Sequence, residues 1–129
     1  MTRLLPIVCL ILLPFFAFSQ KAYEQVFYKG SMPGYTIQFI LGDGYVGASC
    51  VRLTNSKNKK RYFYRPEYLA PDEEKKIKFL HYNGLKPTAD YFIMEGMEDV
   101  YEGEAPHRLY GNYYTKGKVQ RITITRYKP

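Results

Sequence analysis

The segment RYFYR, residues 61–65, carries the side chains in this sequence that are best suited to recognising a ligand. Tyrosine rings stack on sugars and other flat surfaces, and guanidinium groups make paired hydrogen bonds with acidic groups. We therefore expect Arg61, Tyr62, Tyr64 and Arg65 to form a ligand-binding patch. The alternative is an ordinary aromatic strand next to a lysine-rich loop that protects a sheet edge.

The two histidines, His81 and His107, belong to no pattern that is typical of catalysis or of metal binding. His81 alternates with Phe79 and Ile77, which favours a position in the core or at the rim of a sheet. His107 follows a proline in a loop. Cys50 is flanked by small and apolar residues, so we expect a buried small hydrophobe rather than a catalytic thiol. The sequence thus predicts no catalytic residue, metal site or cofactor, and a protein that is not an enzyme.

A cluster of carboxylates lies in the segment EGMEDVYEGE, residues 95–104. Its members are Glu95, Glu98, Asp99, Glu102 and Glu104. Calcium takes six to eight oxygen ligands, but the spacing differs from that of an EF-hand loop. A pair of acids for glycoside hydrolysis would have to lie across a cleft, which a local cluster does not provide. We expect a solvated loop here, with a calcium site as the alternative.

The first 19 residues have the basic residue, apolar run and small-residue ending of a secretory signal peptide. Cleavage is expected between Ser19 and Gln20. The apolar run, 4–18, is shorter than the roughly 20 residues that a spanning helix needs, so we expect no stable membrane span after the signal is removed. The ending FAFSQ resembles the signal peptides of exported proteins from Bacteroidota-type bacteria. We expect an exported protein, periplasmic or secreted, with a single domain at 20–129.

The composition is basic and rich in tyrosine, with 14 Tyr, 8 Phe, no Trp and a formal net charge of +7. Tyrosine suits strands that bury one face and show the other to water. Aromatic and basic surfaces can also bind single-stranded nucleic acids, but the expected export argues against that partner. Outside the cytoplasm, anionic envelope glycans are the partners that a basic surface would attract.

Alternation of apolar and polar residues dominates the chain after Gln20 and predicts about eight short strands. They are expected at AYEQVFYKG, YTIQFIL, GYVGASCVRL, RYFYR, KIKFLHY, ADYFIME, RLYGNYY and KVQRITITRY. The glycine-rich GDG, 42–44, predicts a hairpin between the second and third strands. The segment PDEE, 71–74, predicts a single helical turn. Pro87 is expected to delay the sixth strand, because proline cannot donate a backbone hydrogen bond.

Short strands with mostly short connections predict an all-β fold, a single antiparallel up-and-down barrel of about eight strands. An open β-sandwich is the alternative. Closure removes the exposed edges that invite aggregation and pairs the last strand with the first. The segment ITITRY would then lie next to VFYKG, with Ile122 and Ile124 inward and Thr123 and Thr125 outward.

The ending YGNYYTKGK followed by ITITR resembles the last strands of small exported calycin-type barrels, the lipocalin and avidin-like architecture. In lipocalins a basic residue of the last strand packs across a Trp near the first strand, and Arg126 matches that basic residue. The chain has no Trp, and Tyr23, Phe27 or Tyr28 could take its place. The resemblance implies a barrel that binds a small or lipid-like ligand in its interior.

Two mechanisms of non-catalytic binding are therefore expected. In the first, the barrel cavity holds a small hydrophobic ligand, which a larger residue at an inward position such as Phe39 would exclude. In the second, side chains fill the barrel, as they do in many small barrels, and its basic aromatic face engages an envelope protein or glycan. Nucleic acid is not an expected partner.

Overall fold

The structure, a computed structural model, describes residues 23–129. The expected signal peptide and its cleavage site at Ser19 and Gln20 lie outside the described residues. The described residues contain eight strands, in sequence order: β1 Glu24–Met32, β2 Tyr35–Asp43, β3 Cys50–Asn55, β4 Arg61–Pro66, β5 Ile77–Asn83, β6 Lys86–Met94, β7 Arg108–Thr115 and β8 Lys118–Tyr127. One 3-10 helix, Val46–Ala48, lies between β2 and β3.

The strands form one closed antiparallel barrel in which each strand pairs with its neighbours in sequence. This confirms the predicted all-β up-and-down barrel, and the open sandwich is not formed. Closure occurs between β1 and β8, where Tyr28 lies opposite Arg126. On β8, Ile122 and Ile124 are buried and Thr123 is exposed, as the alternation predicted.

The two ends of the barrel differ. The hairpin turns β1–β2, β3–β4, β5–β6 and β7–β8 all lie at one end, called here the turn end. The longer connections 44–49, 67–76 and 95–107 lie at the other end, called the loop end. Val46, Met97 and Ala105 of these connections are buried, so the connections seal the loop end.

Aromatic rings fill the middle of the barrel. Phe39 is fully buried, and its ring centroid lies 5.7 Å from that of Phe79 and 5.9 Å from that of Tyr28. Phe92 is equally buried and packs 4.8 Å from the ring of Tyr64. Aromatic side chains from β1, β2, β4, β5 and β6 therefore pack together in the core of the barrel.

At the loop end, Tyr28 and Arg126 hold the connection between β6 and β7. The Tyr28 hydroxyl donates to the backbone oxygen of Pro106 at 2.6 Å. The Arg126 guanidinium donates to the backbone oxygen of Ala105 at 2.7 Å. Of the three residues considered for the position opposite the basic residue, Tyr28 is the one that lies directly across from Arg126. The architecture is compatible with a calycin-type barrel.

The connection between β2 and β3 differs from the predicted short hairpin. The third strand begins at Cys50, because residues 46–48 form the 3-10 helix. The backbone nitrogen of Gly42 donates to the Ser49 hydroxyl at 2.9 Å, which fixes the start of β3. A Cβ atom at Gly42 would lie 2.6 Å from the backbone oxygen of Tyr45, so this fold of the connection requires glycine.

Two further local predictions were wrong. The segment 71–74 forms a turn instead of a helical turn, because the Asp72 carboxylate accepts hydrogen bonds from the backbone nitrogens of Glu74 and Lys76, each at 2.9 Å. Pro87 does not delay β6 but lies within it, opposite Tyr82. The register is irregular just before this pair, and proline is tolerated at such bulges.

Gly30 allows β1 and β8 to approach closely at the closure. A Cβ atom at Gly30 would lie 2.7 Å from the backbone oxygen of Thr123 and 2.8 Å from Cγ2 of Ile124. We expect Gly30→Ala to lower the free energy of unfolding, because overpacking costs about 1–3 kcal/mol. A less flexible unfolded chain offsets only about 0.4–1 kcal/mol of this.

Urea unfolding tests this expectation, with Ser31→Ala as the control. Ser31 is the next residue and is exposed on the outer face, so its replacement should change the stability by less than about 0.5 kcal/mol. Equal unfolding midpoints for the two variants would contradict the close approach at Gly30.

Candidate functional site

Strand β4 divides the predicted ligand-binding patch between the two faces of the barrel wall. Tyr64 is buried inside, and Tyr62 is partly buried against the core. Arg61 and Arg65 are exposed outside. Because successive residues of a strand point to opposite faces, the tyrosines and the arginines belong to two different surfaces.

The two tyrosines are part of a polar aromatic group inside the turn end, called here the mouth cluster. Its members come from five strands: Tyr35, Tyr62, Tyr64, His81, Asp90, Tyr113 and Thr115. Each strand that supplies a member places apolar core residues deeper in the barrel and a polar or aromatic residue at its turn end. Phe92 forms part of the floor of the cluster, with its ring centroid 4.6 Å from that of Tyr113.

His81 lies at the rim of the mouth cluster. The sequence had predicted a position either in the core or at the rim of a sheet. Its ring centroid is 5.3 Å from that of Tyr64 and 5.6 Å from that of Tyr62. Its Nδ1 atom lies 3.0 Å from the backbone oxygen of Phe63, a hydrogen bond that orients the imidazole. His81 therefore holds the two tyrosine rings in place from the neighbouring strand.

Asp90 supplies the only carboxylate of the mouth cluster. The Thr115 hydroxyl donates to Asp90 Oδ1 at 2.5 Å, and Asp90 has no ion pair with any Lys or Arg of residues 23–129. An ionised carboxylate can accept about four hydrogen bonds. Asp90 can therefore accept further hydrogen bonds from a ligand that carries hydroxyl or amino groups.

Tyr64 and Tyr113 of the cluster stay protonated at neutral pH. Burial raises the pKa of Tyr64 well above its usual value, and the neighbouring Tyr113 and Asp90 act in the same direction. Burial also raises the pKa of Tyr113. Both hydroxyls can therefore donate as well as accept a hydrogen bond.

Thr88 adds a polar atom without a partner near this cluster. By alternation with Asp90 and Phe92, Thr88 lies on the inward side of β6. Its hydroxyl oxygen is buried and has no hydrogen-bond partner among residues 23–129. A buried hydroxyl that lacks a partner costs roughly 1–3 kcal/mol, and such groups in native proteins call for an explanation.

An open cleft of about 610 Å³ leads into the turn end from outside. It is lined by Met32, Pro33, Tyr35, Tyr113, Thr115, Lys118, Val119 and Gln120. Residues 118–121 of β8 pair with β7 but not with β1, so the wall is open at this point. The cleft connects solvent with the Tyr35 and Tyr113 side of the mouth cluster.

Charge is unequal at the two ends. The turns of the turn end carry Lys57, Lys59, Lys60 and Lys116, and Lys86 and Lys118 flank two of these turns. The connections 67–76 and 95–107 at the loop end carry most of the carboxylates. A positive rim raises the local concentration of anionic molecules near the mouth.

The acidic segment 95–104 forms ion pairs with neighbouring strands and loops. Glu98 pairs with Lys75 at 2.9 Å, Glu104 with Arg126 at 3.4 Å, and Glu95 with Arg121. Within residues 23–129, no three His, Cys, Asp or Glu side chains group together as metal ligands would.

His107 and Cys50, the other two residues that the sequence analysis considered for chemistry, lie outside the mouth cluster. His107 is exposed in the connection between β6 and β7. Cys50 is half-buried on the outer face of β3, opposite Ile40. The prediction that Cys50 is buried in the core was therefore wrong. Burial raises the pKa of the Cys50 thiol, which lowers its reactivity at neutral pH.

Sequence reasoning missed Thr88, Asp90 and Thr115 as site residues. The signal was present in their alternation with the buried Phe92 and Tyr113, which places polar side chains on the inner face. The predicted Tyr62 and Tyr64 do lie in this site, whereas Arg61 and Arg65 do not.

The fold and the site define a closed eight-stranded barrel with a filled middle and a polar aromatic mouth. Comparison of the chain with protein-family models, with curated proteins and with solved structures finds no match. Among residues 23–129, no helix has the length and apolar character needed to cross a membrane.

Proposed function

We propose that the protein is an exported, non-catalytic binding protein that holds a small ligand in the mouth of a calycin-like barrel. The observation that carries this proposal is the buried hydroxyl of Thr88, which has no hydrogen-bond partner among residues 23–129, two positions before Asp90, whose carboxylate forms no ion pair among the same residues. A barrel interior that served stability alone would be better filled by apolar side chains, since a buried hydroxyl without a partner is costly.

The chemistry of the mouth favours a small ring compound with hydroxyl groups, such as a monosaccharide or a phenol. Asp90 accepts hydrogen bonds from such hydroxyls, and the protonated Tyr64 and Tyr113 can donate to them or accept from them. Tyr35 and Tyr62 offer ring surfaces for stacking. The packed Phe39 and Phe92 below the mouth favour a short ligand over a long acyl chain.

Native mass spectrometry of the chain 20–129, purified from its own host, tests the proposal. We expect an extra mass of a few hundred daltons that disappears when the protein is denatured. The protein purified after expression in a foreign host, and then incubated with extract of its own host, should acquire the same mass. An unmodified mass in both preparations would contradict the proposal.

Thr88→Val separates the ligand role of the hydroxyl from its effect on folding. The variant removes the unpartnered oxygen at nearly constant volume, so we expect the ligand-free protein to gain about 1 kcal/mol in stability. The same variant should retain at most a small fraction of the extra mass. Urea unfolding and native mass spectrometry of the one preparation measure both effects.

The control is Thr123→Val, which makes the same chemical change on the exposed face of β8. It should leave ligand retention unchanged and alter stability by less than about 0.5 kcal/mol. Loss of stability together with full ligand retention in Thr88→Val would show that its hydroxyl serves the fold and not the ligand.

A further inference from the structure

The outer face of β1–β4 carries a polar depression that the mouth does not include. Its volume is about 440 Å³. Three cations, Lys29, Arg52 and Arg61, stand around a floor of neutral hydrogen-bonding side chains. The floor consists of Ser31, Thr36, Gln38 and Thr54. This surface, the three cations and the floor, is called here the cationic face.

The strand register explains how the cationic face is assembled. Lys29, Gln38 and Arg52 lie side by side in one row across β1, β2 and β3. A second row contains Ser31, Thr36, Thr54 and Arg61. Strands that are two apart in a sheet are separated by about 9.5 Å, so the backbones of Lys29 and Arg52 are that far apart.

Among residues 23–129, no acidic group neutralises this face. Residues 44–66 contain no Asp or Glu, and neither do residues 25–42. Within the part of the chain that the structure describes, Lys29, Arg52 and Arg61 form no ion pair. Lys29 instead lies over the ring of Tyr127, with its Nζ atom 5.2 Å from the ring centroid.

An aromatic surface extends the row of Lys29 and Arg52. Phe63 lies next to Arg52 on β4 and is 51% exposed. A large apolar ring at this exposure in the middle of a strand gains little from burial in the fold. It offers a flat surface on which a sugar ring can pack.

We propose that the cationic face binds an extended anionic polysaccharide that carries sulfate or carboxylate groups. Cations on strands two apart match separate anionic groups along a chain better than they match one small ion. The Arg52 and Arg61 guanidinium groups can make paired hydrogen bonds with sulfate or carboxylate. The hydroxyl groups of Ser31, Thr36 and Thr54 in the floor both donate and accept, as the hydroxyls of a sugar require, and Phe63 provides the stacking surface.

Heparin, a sulfated polysaccharide, is the probe for this proposal. Isothermal titration of the chain 20–129 with heparin fragments is expected to detect binding that weakens as salt is added. Arg52→Gln should weaken it by roughly tenfold, because the variant loses the paired hydrogen bonds between the guanidinium and an anionic group. Arg61→Gln, on the same face and fully outside the core, should weaken it to a similar degree.

Arg108→Gln is the matched control, because it removes the same charge from an exposed position at the loop end of β7. It should change heparin affinity by less than about twofold. If Arg108→Gln and Arg52→Gln weaken binding equally, the attraction is a general effect of net charge and the proposal fails. Single-stranded DNA binding as tightly as heparin, with the same loss in Arg52→Gln, would also overturn the assignment to a polysaccharide.

Thr88→Val keeps this proposal separate from the one for the mouth. Because Thr88 lies inside the barrel and the cationic face lies outside, the variant should bind heparin with unchanged affinity. Heparin affinity that falls in Thr88→Val, with the fold intact by circular dichroism, would mean that heparin occupies the mouth instead.

Discussion

Replacing Phe39 by alanine is expected to lower the free energy of unfolding by about 3–5 kcal/mol. The Phe39 side chain is fully buried between Phe79 and Tyr28, and its ring meets that of Phe79 at 90°. Its removal leaves a cavity that two aromatic rings from different strands cannot fill by small shifts. Natural domains are stable by only about 5–15 kcal/mol, so the variant should lie close to the limit of folding.

Urea unfolding at 25 °C, followed by circular dichroism, measures this change. Phe63→Ala is the control, because it makes the same substitution on the outer side of the wall. It should cost less than about 1 kcal/mol. An equal loss of stability in both variants would mean that Phe39 is not the centre of a filled barrel.

The closure of the barrel was the part of the fold that the sequence predicted best. Alternation in ITITRY specifies which side chains face inward, because a shift of one residue would expose Ile122 and Ile124 and bury Thr123. Short connections then leave few ways to arrange eight strands other than in sequence order. The pairing of β8 with β1 follows from these two local signals.

The connection between β2 and β3 could not be predicted in this way. GYVGASCVRL alternates well enough to look like one strand, in which Val46 would share the outer face with Cys50 and Arg52. In the structure Val46 is buried within a 3-10 helix that covers the loop end. Only the contacts of the closed barrel, such as Gly47 against Leu69, distinguish this arrangement from a longer strand.

Two of the four residues predicted to bind a ligand lie in the mouth cluster. Tyr62 and Tyr64 were identified as binding residues from their types, and their even numbers already separate them from Arg61 and Arg65 on a strand. Asp90 and Tyr64 are brought close together by the register of β4, β5 and β6, which includes the irregular pairing near Leu80. Alternation can place Asp90 on the inner face of its strand, but a single sequence does not specify the register that brings its carboxylate close to Tyr64.

Alkaline pH is expected to destabilise the protein through its buried tyrosines. Burial, more than any neighbouring charge, raises the pKa of Tyr28 to about 12. Burial also raises the pKa of Tyr64, Tyr101 and Tyr113. In an unfolded chain the pKa of tyrosine is about 10, so above that pH the unfolded state loses protons that the folded state keeps.

The sign of the effect follows from this difference in bound protons. Because the folded state binds more protons above pH 10, the free energy of unfolding falls as the pH rises. The contribution of Tyr28 is fully present below about pH 10 and is lost by about pH 12, when the folded protein also ionises. For Tyr28 alone the loss amounts to at most about 3 kcal/mol, since one pKa unit corresponds to 1.36 kcal/mol.

Urea unfolding of the wild type and of Tyr28→Phe between pH 8 and pH 11.5 isolates this contribution. At pH 8 the variant should be less stable by about 1 kcal/mol, because it lacks the hydrogen bond to the backbone oxygen of Pro106. Above pH 10 the wild type should lose stability faster, so the two curves should converge and then cross. Lysine deprotonation affects both proteins equally and cancels in the comparison. Parallel curves over the whole range would contradict this prediction. They would mean that the Tyr28 hydroxyl ionises in the folded protein as it does in water, despite its burial between β1 and the β6–β7 connection.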